Sequence, residues 1–359
     1  MFTGLALPYL LAIFLAGAIA VWKAGTSLSD QTDVLSKHFG LGEALGGVIL
    51  LAVATNLPEV AITVSAVFSN NIGVAIGNIL GGIALQTVVL VVLDVSMPER
   101  HRTLSGMGIS LMLAVEGLLV ILVLALVVMA TELPASGTFI RIEPGALGIA
   151  VAWIAGVWLI GRARKDLPWQ LMDKDSADHQ GAEQGSPGDQ HASGKKSQDS
   201  QETGIGRSMM MFVAASIVTL IGGVLLERSG DAIATHIGMS GVIFGSTVLA
   251  ASTALPELST GLSSVRIKDY QLAVSDIFGG NAFLPVLFLL AAIISGKAVL
   301  PHAQNTDIYL TSLGMVLTAI YVFGIIFRPK RIVAHMGVDS LLVLIIYVVG
   351  IVGLFVIAS

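Results

Sequence analysis

The chain has 359 residues, of which 55% are hydrophobic and only 12% are charged, and its mean hydropathy is +0.87. Soluble domains carry about 25% charged residues. The composition therefore excludes an ordinary soluble enzyme or nucleic-acid-binding protein and indicates a polytopic membrane protein. The absence of cysteine also excludes disulfides, thiolate metal sites and cysteine nucleophiles.

Ten apolar runs approach the ~20 residues that a helix needs to cross a bilayer. They cover residues 4–22, 41–68, 72–94, 106–130, 143–161, 208–227, 238–264, 270–295, 308–327 and 338–357. The first run lacks a preceding Lys or Arg and a following small-residue cleavage pattern, which favours a retained helix over a signal peptide. The prediction is an all-α polytopic membrane protein with ten transmembrane helices, five in each half.

Basic residues are distributed unevenly between the predicted loops. With the N-terminus outside, only Arg141, Arg228 and Lys297 of the 19 Lys and Arg residues fall in outer loops. Cytoplasmic loops of membrane proteins carry the excess of Lys and Arg, so both termini are predicted to lie outside. The compact length favours a prokaryotic inner membrane.

Residues 162–207 break the apolar pattern, because they are rich in Ser, Gly, Gln and Asp and poor in large apolar side chains. This composition is typical of a disordered segment. It predicts a cytoplasmic linker between an N-terminal repeat (1–161) and a C-terminal repeat (208–359). A tether that joins the two halves is favoured over a docking or regulatory role.

A 27-residue segment occurs twice in the chain. Residues 55–81 and 253–279 align after an ungapped shift of 198, which pairs Leu-Pro-Glu with Leu-Pro-Glu and Asn78 with Asp276. Because each half has five crossings, the second copy enters the membrane from the opposite side, and the repeats are inverted. Inverted repeats in secondary transporters place polar groups around a midplane site and rock between two access states.

The polar residues of the motif lie at matched depth. Glu59, Asn78, Glu257 and Asp276 are each nine or ten residues from the turn of their helical hairpin. At 1.5 Å per residue they lie roughly 14 Å deep, near the middle of a ~30 Å hydrocarbon core. The sequence therefore predicts that all four meet at one level.

Neutral oxygens surround these carboxylates. Pro58 and Pro256 each remove a helical hydrogen bond, which frees a carbonyl near Ala54 and near Ser252. Such carbonyls can coordinate a cation where they line an enclosed or wet cavity. Hydroxyl and amide oxygens are supplied by the residues beside the prolines, namely Thr55, Asn56, Ser252 and Thr253.

This set of oxygens favours hard cations such as Ca²⁺ and Na⁺ over Zn²⁺ or Cu⁺, which recruit imidazole or sulfur. The three carboxylates cannot remain both empty and ionised, so they must hold cations or protons. Alternative occupancy by one divalent ion or several monovalent ions would couple two fluxes, which is antiport. No catalytic residue and no cofactor is predicted, and the partners are transported cations and the lipid bilayer.

Three other polar residues are weighed against ordinary structural roles. Glu116 lies in the fourth span without a counterpart in the second half, and a satisfied contact within the bundle is favoured over ion or proton handling. His38 and His236 are paired by the same shift but fall outside the apolar spans, so loop or cap roles are favoured over metal binding.

The paired LPE segments, followed by GN-x-x-G and SD-x-x-G-G-N, resemble the alpha repeats of the sodium/calcium exchanger branch of the cation/calcium exchanger superfamily. The resemblance covers essentially the whole chain. It implies two inverted five-helix halves, with spans two, three, seven and eight forming the ion-binding core and spans one and six sliding over it. The implied ion ligands are Glu59, Glu257, Asn78, Asp276, Thr55 and Thr253.

The chain departs from the family pattern at several positions. Asn56 and Ala254 stand where GTSLPE has serine, and Gly82 and Ile83 stand where GN-x-x-GSN has Ser and Asn. These changes remove oxygens from the expected Na⁺ sites, so Ca²⁺ transport is the firmer expectation. Asp276 leaves potassium co-transport open, because potassium-dependent relatives have an acidic residue there.

Three functions are carried forward. The leading one is electrogenic antiport of Ca²⁺ against Na⁺, and the nearest alternative is exchange of Ca²⁺ or another cation against H⁺ with one carboxylate titrating. The third, from another class, is an intramembrane aspartyl protease, in which two midplane acids would activate water. It is disfavoured because the acids lie in matched cation-ligand segments.

Overall fold

In the computed structural model, described for residues 2, 4–38, 52–98, 102–107, 110–134, 143–166 and 196–358, almost every element is a helix. In chain order the helices are α1 (Leu7–His38), α2 (Leu57–Phe68), α3 (Ile72–Val95), α4 (Leu111–Thr131), α5 (Pro144–Asp166), α6 (Lys196–Ile237), α7 (Gly241–Phe244), α8 (Ala250–Thr253), α9 (Leu255–Arg266), α10 (Tyr270–Phe283), α11 (Leu287–Ser295), α12 (Asn305–Phe327) and α13 (Val338–Ala358). Two strands, β1 (Ile332–Val333) and β2 (Met336–Gly337), pair as an antiparallel hairpin before α13.

The described residues contain nine helical stretches long and apolar enough to cross a membrane, and α2 is a shorter apolar helix. These ten elements confirm the all-α polytopic fold with five helices in each half. Residues 41–51 of the predicted second span lie outside the described residues. Most of the predicted linker, 167–195, does so too, while α5 and α6 extend into the linker from either side.

The two halves share their helix boundaries at the duplicated motif. The shift of 198 places both ends of α2 on the ends of α9 and the start of α3 on the start of α10. The turns also match, because Asn70 and Lys268 both adopt a left-handed backbone, with φ of 56° and 65°. The repeat is thus a repeat of backbone conformation, and the odd number of spans in each half makes it inverted.

Two helices are longer than predicted. The expected span 208–227 lies within α6, and all but the first three residues of the expected span 4–22 lie within α1; the two helices have 42 and 32 residues. A helix of 32 residues is about 48 Å long, well beyond a ~30 Å hydrocarbon core. The spans were underestimated because both helices carry polar residues past their apolar stretch. Helices α1 and α6 pack along each other, and they also cover α9 and α2, respectively.

The seventh span is a broken helix. Helix α7 continues through a π-helical turn, Gly245–Leu249, into α8, and α9 then starts a new helix at Leu255. A π turn widens the backbone spiral and is frequent at functional sites. The span therefore delivers its Leu-Pro-Glu motif at the start of a helix, not in the middle of one.

Glycines bring α3 against this broken span. A Cβ built at Gly77 would lie 2.7 Å from the carbonyl oxygen of Val242, and one built at Gly81 would overlap the Cα of Ser246. Only the absence of a side chain allows backbones to approach so closely, which is the usual device in membrane helix packing. The contact fixes α3 against α7 and the π turn of the seventh span.

We expect Gly81→Ala to destabilise the protein, because its new methyl group meets backbone atoms of Ser246 that cannot turn away. Overpacking of this kind costs about 1–3 kcal/mol, which thermal unfolding in detergent would register as a lower Tm. The neighbouring Gly82→Ala is the control, since a Cβ there meets only Leu284 Cδ1 at 3.7 Å. Equal Tm values for the two variants would contradict the predicted contact.

Candidate functional site

The two glutamates of the repeated motif each lie in the first turn of a helix. Helices α2 and α9 both have proline within their first two positions, followed by Glu59 or Glu257. Proline is tolerated there, because the first turn has no helical acceptor for its missing N–H. The positive end of the helix dipole lies close to each carboxylate and favours its anionic form.

Three carboxylates are brought together in the core of the protein. Glu59 and Glu257 are 0% exposed, and Asp276 is 2% exposed. Glu59 and Asp276 are close enough to Glu257 for their charges to repel it. Apart from contacts with the motif threonines and with the backbone of the glutamates themselves, no described residue bonds to the carboxylate oxygens of Glu59 and Glu257 or to Oδ1 of Asp276. Burial of an unpaired ion costs several kcal/mol, so this arrangement requires cations or protons between the carboxylates.

The threonines of the motif cross from one repeat to the other. Thr253 faces Glu59, and Thr55 faces Glu257 and Asp276. Each hydroxyl has a carbonyl acceptor in its own helix, because Thr55 Oγ1 lies 3.2 Å from the Ala52 oxygen and Thr253 Oγ1 lies 3.2 Å from the Ala250 oxygen. A hydroxyl that donates its proton to a carbonyl of its own helix keeps its lone pairs for a cation on its other side. Each glutamate therefore has a threonine oxygen of the opposite repeat beside it.

Both asparagines predicted for the site are fully buried. Asn78 has no hydrogen-bond partner among the described residues for either its amide nitrogen or its amide oxygen. Asn56 donates from Nδ2 to the carbonyl oxygen of Ala52 at 2.5 Å, while its Oδ1 has no partner in the same part of the chain. Two amide oxygens thus remain available to a cation.

Two other candidates are bonded elsewhere. Ser252 is mostly buried, but its hydroxyl donates to the Val248 carbonyl of its own helix at 2.9 Å. Glu116 accepts a hydrogen bond of 2.7 Å from Ser275 Oγ, which joins α4 to α10. This is the satisfied contact within the bundle that the sequence favours for Glu116. His38 and His236 are exposed and lie at the ends of α1 and α6.

Sequence reasoning missed three buried polar residues on the helices that carry the site residues. Thr260 Oγ1 donates to Asp276 Oδ2 at 2.8 Å. Thr63, one turn after Glu59, is fully buried with no partner for its hydroxyl among the described residues, and the same holds for both amide atoms of Gln86 on α3. Their signal in the sequence is a polar side chain inside an apolar helix, one or two turns from a motif residue.

A pair of residues marks the symmetry axis between the repeats. Asn281 Nδ2 donates to Thr87 Oγ1 at 3.2 Å and to the carbonyl oxygen of Ile83 at 3.4 Å. Ile83 and Asn281 are related by the shift of 198. A residue that touches its own counterpart lies on the pseudo-two-fold axis, so this contact locates the axis between α3 and α10.

Comparison with known proteins agrees with this geometry. The family model described as "Sodium/calcium exchanger protein" matches residues 9–161 and 207–355. The inner membrane protein YrbG of Escherichia coli (strain K12) is 24% identical over 301 residues, which cover 82% of this chain and 83% of that protein.

Solved structures are similar in fold at low sequence identity. One chain of the sodium-calcium exchanger NCX_Mj has a TM-score of 0.59 and 16% identity, with 97% of this chain and 99% of that chain covered. The H⁺/Ca²⁺ exchanger CAX has a TM-score of 0.60 and 12% identity, with 97% of this chain and 87% of that chain covered. The match of the family model to both halves shows that this chain belongs to the sodium/calcium exchanger protein family.

Proposed function

We propose that the protein exchanges Ca²⁺ against Na⁺ across the membrane by alternating access at the midplane. The family is one of transporters, so the alternative of an intramembrane protease is dropped. The observation that carries the proposal is the cluster of three buried carboxylates, Glu59, Glu257 and Asp276, surrounded by neutral oxygens. Such a site suits one Ca²⁺ or several Na⁺ ions, and the competition between them couples the two fluxes.

The residues have unequal roles in this proposal. Glu59 and Glu257 supply the principal Ca²⁺ ligands, and Asp276 adds a third charge whose second oxygen is held by Thr260. Neutral oxygens complete the coordination from Thr55, Thr253, Asn56 and Asn78, with Ser252 at the edge. Because Ser252 donates to its own helix, its oxygen serves only through its remaining lone pairs.

Two glycines give the moving helices close contact with the site. A Cβ at Gly25 of α1 would overlap the ring of Pro256, and one at Gly223 of α6 would lie 2.9 Å from the carbonyl oxygen of Pro58. These glycines are related by the shift of 198. Each long helix thus lies directly on the motif of the opposite repeat, and we propose that their sliding opens the site to one side at a time.

Exchange against H⁺ is the second candidate. It is favoured by the lack of a hydroxyl at Ala254, Gly82 and Gly280, because fewer neutral oxygens weaken a Na⁺ site without affecting a carboxylate that binds protons. The similarity in fold to the H⁺/Ca²⁺ exchanger CAX is compatible with either counter-ion.

Proteoliposomes separate the two candidates. We expect an imposed Na⁺ gradient to drive Ca²⁺ uptake against its gradient, and the uptake to carry net charge across the membrane. A pH gradient without Na⁺ is the matched condition. Uptake driven by the pH gradient and indifferent to Na⁺ at every pH would overturn Na⁺ coupling and leave H⁺ exchange in its place.

We also propose that both termini and the turn at residues 69–71 lie outside, in a prokaryotic inner membrane. The basic residues of the loops support this orientation. The linker 162–207 then lies in the cytoplasm.

A further inference from the structure

Asn56 occupies an unusual place between the two repeats. Its Nδ2 touches the carbonyl oxygen of Ala52 at 2.5 Å, and a Cβ built at Gly280 would lie only 2.8 Å from the same nitrogen. The carboxamide therefore fills the space that a side chain at position 280 would occupy. Asn56 and Gly280 fit together, and each position restricts the other.

The orientation of this amide is fixed by chemistry. A carbonyl oxygen can only accept, so the nitrogen of Asn56, not its oxygen, must face Ala52. The Ala52 oxygen then receives three donors, since the backbone N–H of Asn56 lies at 3.3 Å and Thr55 Oγ1 at 3.2 Å. No cation can approach that carbonyl to the ~2.3–2.6 Å of a Ca²⁺–oxygen bond without displacing the amide.

The other repeat has no amide in the corresponding position. Ala254 takes the place of Asn56, and among the described residues the Ala250 oxygen receives the Ala254 N–H at 3.0 Å and Thr253 Oγ1 at 3.2 Å, but no amide. The counterpart of Gly280 is Gly82, where a Cβ meets only Leu284 Cδ1 at 3.7 Å. In one half of the site the carbonyl receives three donors, one of them the amide, whereas in the other half it receives two and the glycine has room for a side chain.

We infer that Asn56, locked between Ala52 and Gly280, determines how many monovalent cations the site accepts. The inference rests on the proposed function. Asn56 closes the Ala52 carbonyl in the half of the site next to Glu59. This half therefore offers monovalent ions one backbone oxygen fewer, and its remaining oxygens are those of Asn56, Thr253 and the glutamate. The half next to Glu257 and Ala250 remains open to a separate ion.

The contact between Asn56 and Gly280 is tested first, without ions, by a double-mutant cycle. We expect Gly280→Ser to lower the Tm in detergent in the native background and to have little effect in the Asn56→Ala background, where the amide is gone. Gly82→Ser is the matched control and should be tolerated in both. If Gly280→Ser lowers the Tm equally with and without Asn56, the two positions do not restrict each other.

The ion count is tested second, with Na⁺ as the probe. We expect Asn56→Ser to increase the Hill slope for Na⁺-driven Ca²⁺ transport by about one, since the slope can rise to the number of sites. Ala254→Asn introduces the same amide in the other half of the site and should lower the Hill slope for Na⁺. Unchanged slopes in both variants would overturn the inference, as would a failure of Asn56→Ser to gain Na⁺ dependence if the native protein has none.

Calorimetric titration of the native protein with Ca²⁺ keeps the two claims apart. Absence of Ca²⁺ binding would refute the proposed function, whereas the Tm cycle would still decide whether Asn56 and Gly280 are interlocked. Ca²⁺ binding by Asn56→Ser and Ala254→Asn with unaltered Na⁺ slopes would leave the exchanger intact and refute only the role of Asn56.

Discussion

Glu257→Gln is expected to abolish Ca²⁺ binding and transport. Glu257 is fully buried between Glu59 and Asp276, and the substitution removes one of three negative charges that a divalent ion needs in a medium of low polarity. Loss of one partner of a buried charge pair costs about 3–5 kcal/mol, which corresponds to a decrease in affinity of roughly two to three and a half orders of magnitude. Titration calorimetry and Ca²⁺ flux into proteoliposomes would measure it.

The control is another intramembrane glutamate. Glu116 is also buried, but it is joined to Ser275 and not to the carboxylate cluster, and a glutamine can still accept that hydrogen bond. We therefore expect Glu116→Gln to bind Ca²⁺ as the native protein does. Tight Ca²⁺ binding by Glu257→Gln, or its loss only in Glu116→Gln, would show that the ion site lies elsewhere.

Gly223→Leu is expected to stop transport through a different cause. The new side chain would be forced between α6 and the start of α2. A Cβ built at Gly223 would already lie only 2.7 Å from the Cβ of Ala61. Gly25→Leu should have the same effect on α1 at Pro256. Overpacking of about 1–3 kcal/mol or more at a sliding contact would trap or displace the helix, and Ca²⁺ flux should fall at least about tenfold.

Helix α6 also provides the matched control for this prediction. A Cβ at Gly206 has no atom within 4 Å, so Gly206→Leu adds the same bulk to the same helix without a clash. Its Ca²⁺ flux should remain near the native value. If Gly223→Leu transports normally, α6 does not slide on Pro58 in the way proposed.

The duplicated motif contained most of the information about the fold. Its ungapped alignment predicted two equivalent hairpins, and the structure gives α2 and α9 matching limits. The burial of Glu59, Glu257 and Asp276 was also predictable. A carboxylate in the middle of a membrane-spanning segment faces the interior of the protein, because exposure to lipid is costly. The helix breaks occur at the prolines, where the predicted spans 41–68 and 238–264 ran on without interruption and the structure starts a new helix.

Other features depend on contacts between distant segments, which periodicity does not reveal. Helices α1 and α6 extend beyond their apolar runs through polar residues, and the two helices pack along each other. The bond from Thr260 to Asp276 joins two helices across a turn, and the fit of Asn56 against Gly280 joins two repeats. Ser252 looked equivalent to the other hydroxyls in sequence, yet its bond to Val248 turns it back to its own helix.

The contact between Asn281 and Ile83 bears on how such a protein could arise. In a dimer of two identical five-helix halves, the residue on the two-fold axis must meet its own copy, as in any isologous interface. Two asparagines there could exchange hydrogen bonds, whereas two isoleucines could only pack together. Once the halves were fused into one gene, the axis could hold one residue of each kind. Covalent linkage would thus free this position to become asymmetric, and with it the two sides of the carboxylate site could diverge.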